Sequence, residues 1–336
     1  MRIRIRGILL IVSLLAAGTL QAQQKLAQTG MKFLSVGSDA RAVALGEAMT
    51  AIEFGSAAMM YNPAGMARVA DRADIRLSNL QYIADIQHYV GNIAISPAKG
   101  EYGVLGFFVQ YVDYGMFEGT IRSDNAQGYL DMGAFYPSAM VIGASYARAL
   151  TDKFSVGGNA KYVEQTLGPS VNELDANGYA IFSKNSAHVW AFDFGLLYRT
   201  GFKSLNFGMV VRNFSQEVTF QEEGFQLPLN FKIGVSMNIW DFVEQENADH
   251  ALLLAFDAEH PRDYVETVRF GIEYRMMDFL ALRVGRVSPQ SEYSWSYGIG
   301  LRKQADEATM GIGFDYAYTP FGLFGDVHRF TLQIAL

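Results

Sequence analysis

One short stretch of this sequence, Asp257-Ala258-Glu259-His260, has side chains that could hold a metal ion. A zinc site needs three or four ligands around one point. If the stretch is a β-strand, its side chains alternate, so Asp257 and Glu259 point one way and His260 the other. Thiolate ligands are absent because the sequence contains no Cys. We therefore expect neither a metal site nor a cofactor.

Catalytic motifs are missing as well. The sequence contains no G-x-S-x-G, Walker A, H-E-x-x-H or EF-hand pattern. If the chain formed a membrane β-barrel that acts as an enzyme, it would need a Ser or Thr paired with a His on the outer face of the barrel, close to the edge of the membrane. Ser186 close to His188 comes nearest to this, and ordinary loop composition explains the pair. We predict a protein that is not an enzyme.

From about Ala73 onward, apolar residues alternate with less apolar ones at a period of two, which predicts β-strands. These strands must position the side chains named above. For example, Trp190 and Phe192 share one face of a strand, and Asp193 and Gly195 share the other. Strands of outer-membrane barrels alternate in this way. A soluble β-sandwich or propeller alternates too, but its outer face is rich in Lys, Glu and Thr. Here the less apolar face consists mainly of Gly and small residues, which suits a crowded or plugged lumen.

About fourteen such strands follow one another, which predicts an all-β, antiparallel transmembrane barrel over residues 72–336. Short turns alternate with the long segments Gly115–Pro137, Leu167–Ala187 and Phe214–Pro228. Outer-membrane barrels have short periplasmic turns and longer extracellular loops. The strand centres are Leu77, Ile93, Phe107, Ile142, Lys161, Phe194, Met209, Val235, Ala255, Gly271, Val284, Tyr297, Phe314 and Leu332.

The alternation also assigns individual side chains to a face. Outward aromatic residues are expected to form girdles at the membrane interfaces, namely Trp190, Tyr198, Tyr293, Trp295 and Tyr318. Inward charges of opposite sign lie on adjacent strands, so they can form a cross-strand network that braces the wall or lines a substrate path. These inward charges are Asp193, Arg212, Lys232, Asp257, Glu259, Arg269, Glu273, Arg275, Arg283, Arg302 and Asp315.

The first residues predict export. Three Arg precede the apolar stretch Gly7–Leu20, and Ala22 is a suitable last residue before cleavage, so residues 1–22 resemble a secretory signal peptide. Its removal leaves 24 of the 27 basic residues against 34 acidic ones, a net charge of −10. An acidic chain argues against nucleic-acid binding, which needs basic patches. We expect a protein of the cell outer membrane, in contact with its lipid.

Residues 23–71 have a different character and predict a small helical segment. Ser38 or Asp39 can cap a short helix that runs to Ala51. The stretch Asn62-Pro63-Ala64-Gly65 predicts a turn, which Gly65 can close with a positive φ.

These residues resemble the start of the PorV/PorQ proteins of the Bacteroidetes lineage, relatives of the FadL-type fatty-acid transporters. The resemblance rests on Phe33-Leu34, Asp39-Ala40-Arg41, Leu45-Gly46 and Tyr61-Asn62-Pro63-Ala64-Gly65, at their spacing. It implies an N-terminal hatch inside a fourteen-stranded barrel. By the same resemblance, Asn62, Pro63, Ala64 and Gly65 would be hatch residues, and Asp39 and Arg41 would help to anchor the hatch.

The resemblance further implies a role in type IX protein secretion, with secretion-system proteins and secreted cargo as partners. PorV-like and PorQ-like membership both stay open. A second hypothesis is a FadL-like transporter of fatty acids or other hydrophobic small molecules. An apolar pocket between hatch and wall would favour the transporter, whereas a lumen filled by charged pairs would favour the binding of proteins.

Overall fold

The computed structural model describes residues 29–69, 71–174, 180–220, 223–242, 250–289, 293–303 and 310–336. The predicted signal peptide lies outside the described residues, as does the short turn that the sequence predicts between the strands centred on Tyr297 and Phe314. No helix in the described part of the chain is both long and apolar enough to cross a membrane.

Fourteen antiparallel strands close into a barrel, which confirms the predicted fold class. The first strand pairs with the last, from Asp74 opposite Ala335 to Gln81 opposite His328. Every predicted strand centre lies inside one of these strands. We number them in chain order as β1 (Ala73–Gln81), β2 (Gln87–Ile95), β3 (Val104–Asp113), β4 (Ser138–Ala149), β5 (Phe154–Leu174), β6 (Ala180–Arg199), β7 (Asn206–Ser215), β8 (Asn230–Asn238), β9 (His250–Pro261), β10 (Thr267–Met276), β11 (Leu280–Ser288), β12 (Trp295–Lys303), β13 (Gly311–Pro320) and β14 (Asp326–Ala335).

The outer face of the barrel is apolar. In β3, Leu105, Phe107, Val109 and Tyr111 are 43–52% exposed, while Phe108 between them is buried. Large apolar side chains that alternate outward on a closed sheet are the surface that a bilayer covers. The sequence alternation therefore encodes a lipid-facing wall and a protein-filled interior.

The aromatic predictions mostly agree with this wall. Trp190, Trp295 and Tyr198 are exposed on the outer face, and the Tyr318 hydroxyl donates to Asp326 there. The prediction for Tyr293 is wrong, because β12 begins only at Trp295 and the alternation does not extend back to residue 293. Its ring instead stacks on Phe321, with 4.5 Å between ring centroids, and packs against a buried cluster.

The two ends of the barrel differ in the length of their connections. We call the end where β1 begins and β14 ends the N/C end, and the opposite end the loop end. At the loop end, Gly115–Pro137 contains a two-stranded hairpin of Phe117–Arg122 and Tyr129–Phe135. The prediction of a loop throughout Leu167–Ala187 is wrong, since β5 and β6 extend into it and pair as far as Leu174 and Ala180, with residues 175–179 outside the described residues. The third loop contains the short pair Val218–Thr219 and Gly224–Phe225.

The lumen is occupied by residues 29–69, which we call the inner segment. At the loop end, Thr29 forms a bridge with Gln226, and the Lys32 ammonium lies 2.6 Å from the Asp263 carboxylate. At the N/C end, Arg68 donates to the carbonyls of the β4–β5 turn. The inner segment therefore crosses the whole barrel before β1 begins.

Short helical turns make up the inner segment. Asp39 caps the helix by accepting a hydrogen bond from the Ala42 N–H at 3.0 Å. The helix predicted to reach Ala51 is too long, because Gly46, with a φ of 63°, ends it. Gly65 has no positive φ; it is needed because a Cβ there would lie 2.7 Å from the Ile52 carbonyl oxygen. The helical stretches of the described chain are Lys32–Ser35, Ala40–Ala44, Gly55–Met60, Pro63–Met66, Ile83–Asp85, Pro97–Gly100, Ile239–Phe242 and Gly322–Phe324.

Candidate functional site

A belt of inward-facing glycines lets the wall approach the inner segment closely. A Cβ atom at any of eight wall glycines would lie less than 3.0 Å from an atom of the inner segment. Several of them are cross-strand neighbours, such as Gly208 opposite Gly234 and Gly271 opposite Gly285. Glycine in a strand often marks a place where another part of the chain comes close. The glycine belt consists of Gly106, Gly157, Gly195, Gly208, Gly234, Gly271, Gly285 and Gly298.

Arg41 of the inner segment binds the wall through Glu273. Its Nε and Nη2 donate to the two carboxylate oxygens at 2.7 and 2.8 Å, a bidentate pair. Arg283 also donates to Glu273 at 2.5 Å and bridges to Asp315 at 2.6 Å. Arg275 lies 3.7 Å from Glu273 and is the most exposed member of this group. Charges of alternating sign therefore run across β10, β11 and β13, passing Gly300 of β12, and connect to Arg41 of the inner segment.

A second group of charges lies on β8, β9 and β10. The Glu259 carboxylate accepts a hydrogen bond from Arg269 and lies 3.4 Å from the Lys232 ammonium. Arg269 also donates to the Gly46 carbonyl of the inner segment at 3.2 Å. Asp257 accepts from both the backbone N–H and the hydroxyl of Thr50, at 3.0 and 2.6 Å. These wall charges thus hold the inner segment at two further points.

The third group surrounds Asp193 and depends on a β-bulge between β6 and β7. Lys161 donates to both Asp193 oxygens at 2.8 Å and to the Asn213 side chain at 2.7 Å. Asn213 has a φ of 63°, and the β6–β7 register shifts there, so Asn213 is buried beside Asp193 although simple alternation would send it outward. Arg212 also faces inward, and its Nε has no hydrogen-bond partner within the described chain.

The N-terminal site residues occupy the same interior. The Asp39 carboxylate lies 3.6 Å from the Arg76 guanidinium of β1, and both side chains are buried. Asn62 donates to the carbonyls of Thr50 and Leu196, at 2.6 and 3.0 Å, and its own side-chain oxygen accepts from Ala64. Pro63, Ala64 and Gly65 form the buried helical turn beside it.

The structure therefore brings the charges expected from alternation into one interior, ten of them in three separate groups and Arg302 apart from these, hydrogen-bonded to Gln333. Eight of the eleven are buried, while Arg212, Arg275 and Arg302 are half-buried. Sequence reasoning missed Asp74, Arg76 and Lys161, which alternation would have identified had it been applied to β1 and β5 as well. It could not have identified Asn213, because nothing in the residue order announces the bulge.

The interior cavities described here are small and lined with charged groups. One of about 20 Å³ lies among Arg41, Glu273 and Arg283, and one of about 10 Å³ lies beside Arg212 and Tyr61. A larger cavity of about 220 Å³ lies at the N/C end beside Arg302. Ligand pockets for drug-sized molecules are roughly 300–1,000 Å³ and mostly apolar. None of these three cavities therefore fits a long apolar molecule.

Within the described residues, no His, Cys, Asp or Glu side chains are grouped to hold a metal ion. Asp257 and Glu259 are buried, whereas His260 is exposed and lies 3.1 Å from Glu266. The His188 ring stacks on Tyr162, at 5.6 Å between centroids, rather than facing Ser186 as a catalytic base.

Comparison with known proteins identifies one family. A family model described as type IX secretion system protein PorV matches residues 19–258. None of the curated proteins matches the chain.

Solved structures of similar shape are outer-membrane barrels of the FadL-like type. The toluene transporter TbuX of Ralstonia pickettii has a TM-score of 0.52 at 14% identity, over 89% of this chain and 97% of that one. The toluene transporter TodX of Pseudomonas putida has a TM-score of 0.53 at 11% identity, over 93% of this chain and 98% of that one. At such identities the likeness shows the fold alone.

Proposed function

This chain belongs to the family of the type IX secretion system protein PorV, and on that premise we propose that it binds secreted proteins, or other proteins of the secretion system, at the outer membrane. It does so without catalysing a reaction. The chain is exported by a signal peptide at residues 1–22, which is cleaved, and residues 23–71 act as a hatch in the barrel of residues 72–336. The N/C end faces the periplasm and the loop end faces outward, because long connections are extracellular in such barrels.

The filled lumen is the observation that carries this proposal. The glycine belt contacts the inner segment on eight strands, and Arg41, Thr50 and Asn62 form hydrogen bonds with Glu273, Asp257 and Leu196 of the wall. Asp39 and Arg41 anchor the hatch, and the turn of Asn62, Pro63, Ala64 and Gly65 shapes it. A lumen closed by this many contacts suits a scaffold that presents surfaces better than an open channel.

The loop end offers a surface for protein contacts. Leu130 of the hairpin is 49% exposed, and the flanking Met116 and Tyr136 are 59% and 67% exposed. The β5–β6 extension adds Ile181 and Phe182, which are also exposed. Exposed apolar and aromatic side chains on a rigid scaffold are typical of recognition sites. We assign the binding of cargo or partner proteins to this end.

A transporter of hydrophobic small molecules is not favoured. Such a site needs an apolar pocket between hatch and wall. The cavities described above are instead lined by arginines and carboxylates.

The experiment that tests the proposal is crosslinked affinity purification from the native host in mild detergent, with mass spectrometry of proteins and lipids. We expect secretion-system proteins, together with secreted proteins that share a C-terminal signal domain. Fatty acids or other apolar molecules without protein partners would contradict the proposal and favour the transporter.

A paired variant locates the contact. Replacing residues 117–135 by a short Gly-Ser turn removes the hairpin and is expected to abolish capture of the protein partners. The control replaces the turn at residues 200–204, which lies at the N/C end. Loss of partners from the control alone would contradict the assignment to the loop end.

A further inference from the structure

The cavity at the N/C end is the largest of the three cavities described above. It has a volume of about 220 Å³ and lies where β12 and β14 end and β13 begins. We call it the polar pocket and define it by Asp71, Arg302, Lys303, Gly313 and Gln333. The pocket exists because the inner segment does not reach this corner. The atoms nearest to a Cβ at Gly313 would belong to Gln333 and Arg302, at ordinary contact distances of 3.4 Å and more.

Arg302 is the side chain that makes the pocket a binding site. It donates one hydrogen bond, from Nη2 to the Gln333 side-chain oxygen at 3.1 Å. A guanidinium has five N–H donors. Within the described residues, no carboxylate lies within 4.0 Å of it. The guanidinium therefore has spare donors beside an empty volume.

The surrounding charges increase the demand for an anion. Arg41 and Arg76 repel Arg302, and the acids Glu273 and Asp315 are already bound to other arginines, while Asp71 of the same pocket attracts Arg302 from beyond 4.0 Å. Lys303 also lines the pocket, but it follows the inward Arg302 in the strand and is exposed on the outer face, so Arg302 supplies the positive charge. A half-buried guanidinium in such surroundings binds an anionic oxygen group by charge-assisted hydrogen bonds.

We propose that the polar pocket binds a carboxylate of a peptide segment, either an acidic side chain or a chain terminus, presented from the periplasmic side. The lining also contains acceptors, in Asp71 and the Gln333 side chain. A peptide carries N–H donors beside its carboxylate and can use both, whereas inorganic phosphate would meet Asp71 as a repelling charge. The volume fits a single residue and not a fatty acyl chain.

This inference rests on the proposed function only for the direction of approach, since secreted proteins reach the outer membrane from the periplasm. The pocket itself is tested on the purified full chain in detergent. If the pocket binds no peptide, the result of the affinity purification is unaffected. If the affinity purification recovers no protein partners, peptide binding to the pocket can still be measured.

The experiment titrates acetyl-Ala-Glu-amide, acetyl-Ala-Gln-amide, inorganic phosphate and octanoate by calorimetry. We expect saturable binding of the glutamate peptide and affinity for the glutamine peptide that is weaker by about tenfold or more. Equal affinity for both peptides, or no binding of either, would overturn the proposal. Tighter binding of phosphate would assign the pocket to phosphate groups, and tighter binding of octanoate would assign it to fatty acids.

Two variants test the pocket in different ways. Arg302→Gln removes the charge, and Gly313→Val fills the volume while every charged residue stays in place; each is expected to weaken binding of the glutamate peptide about tenfold or more. The control is Arg148→Gln, which removes an exposed arginine from the outer face near the same end. Folding of each variant is checked by the shift in gel mobility on heating. Folded Arg302→Gln and Gly313→Val proteins with unchanged affinity would overturn the proposal.

Discussion

Glu273 is a wall carboxylate with three arginines within 4.0 Å. It is 1% exposed, accepts hydrogen bonds from Arg41 and Arg283, and lies near Arg275. Neutralising one member of a buried ionic group costs far more than the group contributes as a whole, because the partners stay charged and buried.

Glu273→Gln is therefore expected to destabilise the folded barrel by about 3–5 kcal/mol. Asp278→Asn is the control; it removes a partner of Arg275 that is 45% exposed, and it should cost about 1 kcal/mol or less. Guanidinium unfolding of the protein in lipid vesicles measures both. Equal losses of stability in the two variants would show that the burial of Glu273 does not increase the cost of neutralising it.

A pH dependence is expected where the inner segment begins. Burial alone would raise the pKa of Asp263, but hydrogen bonds from Lys32 and Thr29 bring it below its ordinary value. A lowered pKa in the folded state contributes stability that is fully present above the unfolded pKa, about 3.9, and lost as the pH falls through the folded value. The contact should therefore hold throughout the neutral range.

The stability difference between wild type and Asp263→Asn measures this contact. We expect a constant difference between about pH 5 and 8, and its loss only below about pH 3.9, as the pH falls through the lowered pKa of Asp263. A difference that vanishes near pH 6 would be incompatible with a lowered pKa at Asp263.

At the scale of elements, the glycine belt and the inner segment act as one unit. Gly285 shows this most clearly, because a Cβ there would overlap the backbone of Gly46. Gly91 is a matched control. It lies in β2, and a Cβ there would meet only Leu77 and Val109, both at 3.6 Å.

Gly285→Ala is expected to displace the inner segment and to raise the permeability of the outer membrane to large antibiotics. Gly91→Ala should leave permeability unchanged, because its Cβ has room. Growth inhibition by vancomycin in cells with equal amounts of each folded barrel is the measurement. An unchanged response in Gly285→Ala cells would argue against the hatch.

Alternation predicted the elements well and failed where the pleat is broken or ends. It predicted the position of every strand and the inward orientation of charged side chains such as Arg283 and Asp315, because a period of two is a local property of a strand. It misplaced Tyr293, which precedes its strand, and it missed Asn213 at the bulge. The groups that these residues join depend on register between distant strands, which composition does not contain.

At the scale of the whole molecule, the barrel separates two solvents. Ile142 is 52% exposed in the middle of β4, whereas Leu167 is 41% exposed on the part of β5 that extends past β4. The same degree of exposure therefore means lipid at one position and water at the other.

Ile142→Arg should lose about 2–4 kcal/mol of stability in vesicles, the cost of arginine on a lipid-facing wall near the bilayer midplane. Leu167→Arg, the control, should change it by about 0.5 kcal/mol or less. Folding titrations in vesicles measure both values. Equal small effects would mean that β4 does not face lipid.

The glycine belt also constrains how this sequence can change over time. At each of its eight positions the wall lacks the Cβ that would collide with the inner segment. A larger residue at Gly285 becomes acceptable only if the chain around Gly46 retreats, so neither position can drift alone. Among relatives, these pairs should covary, and inner segments exchanged between distant relatives should fail to seat unless the facing strands are exchanged with them.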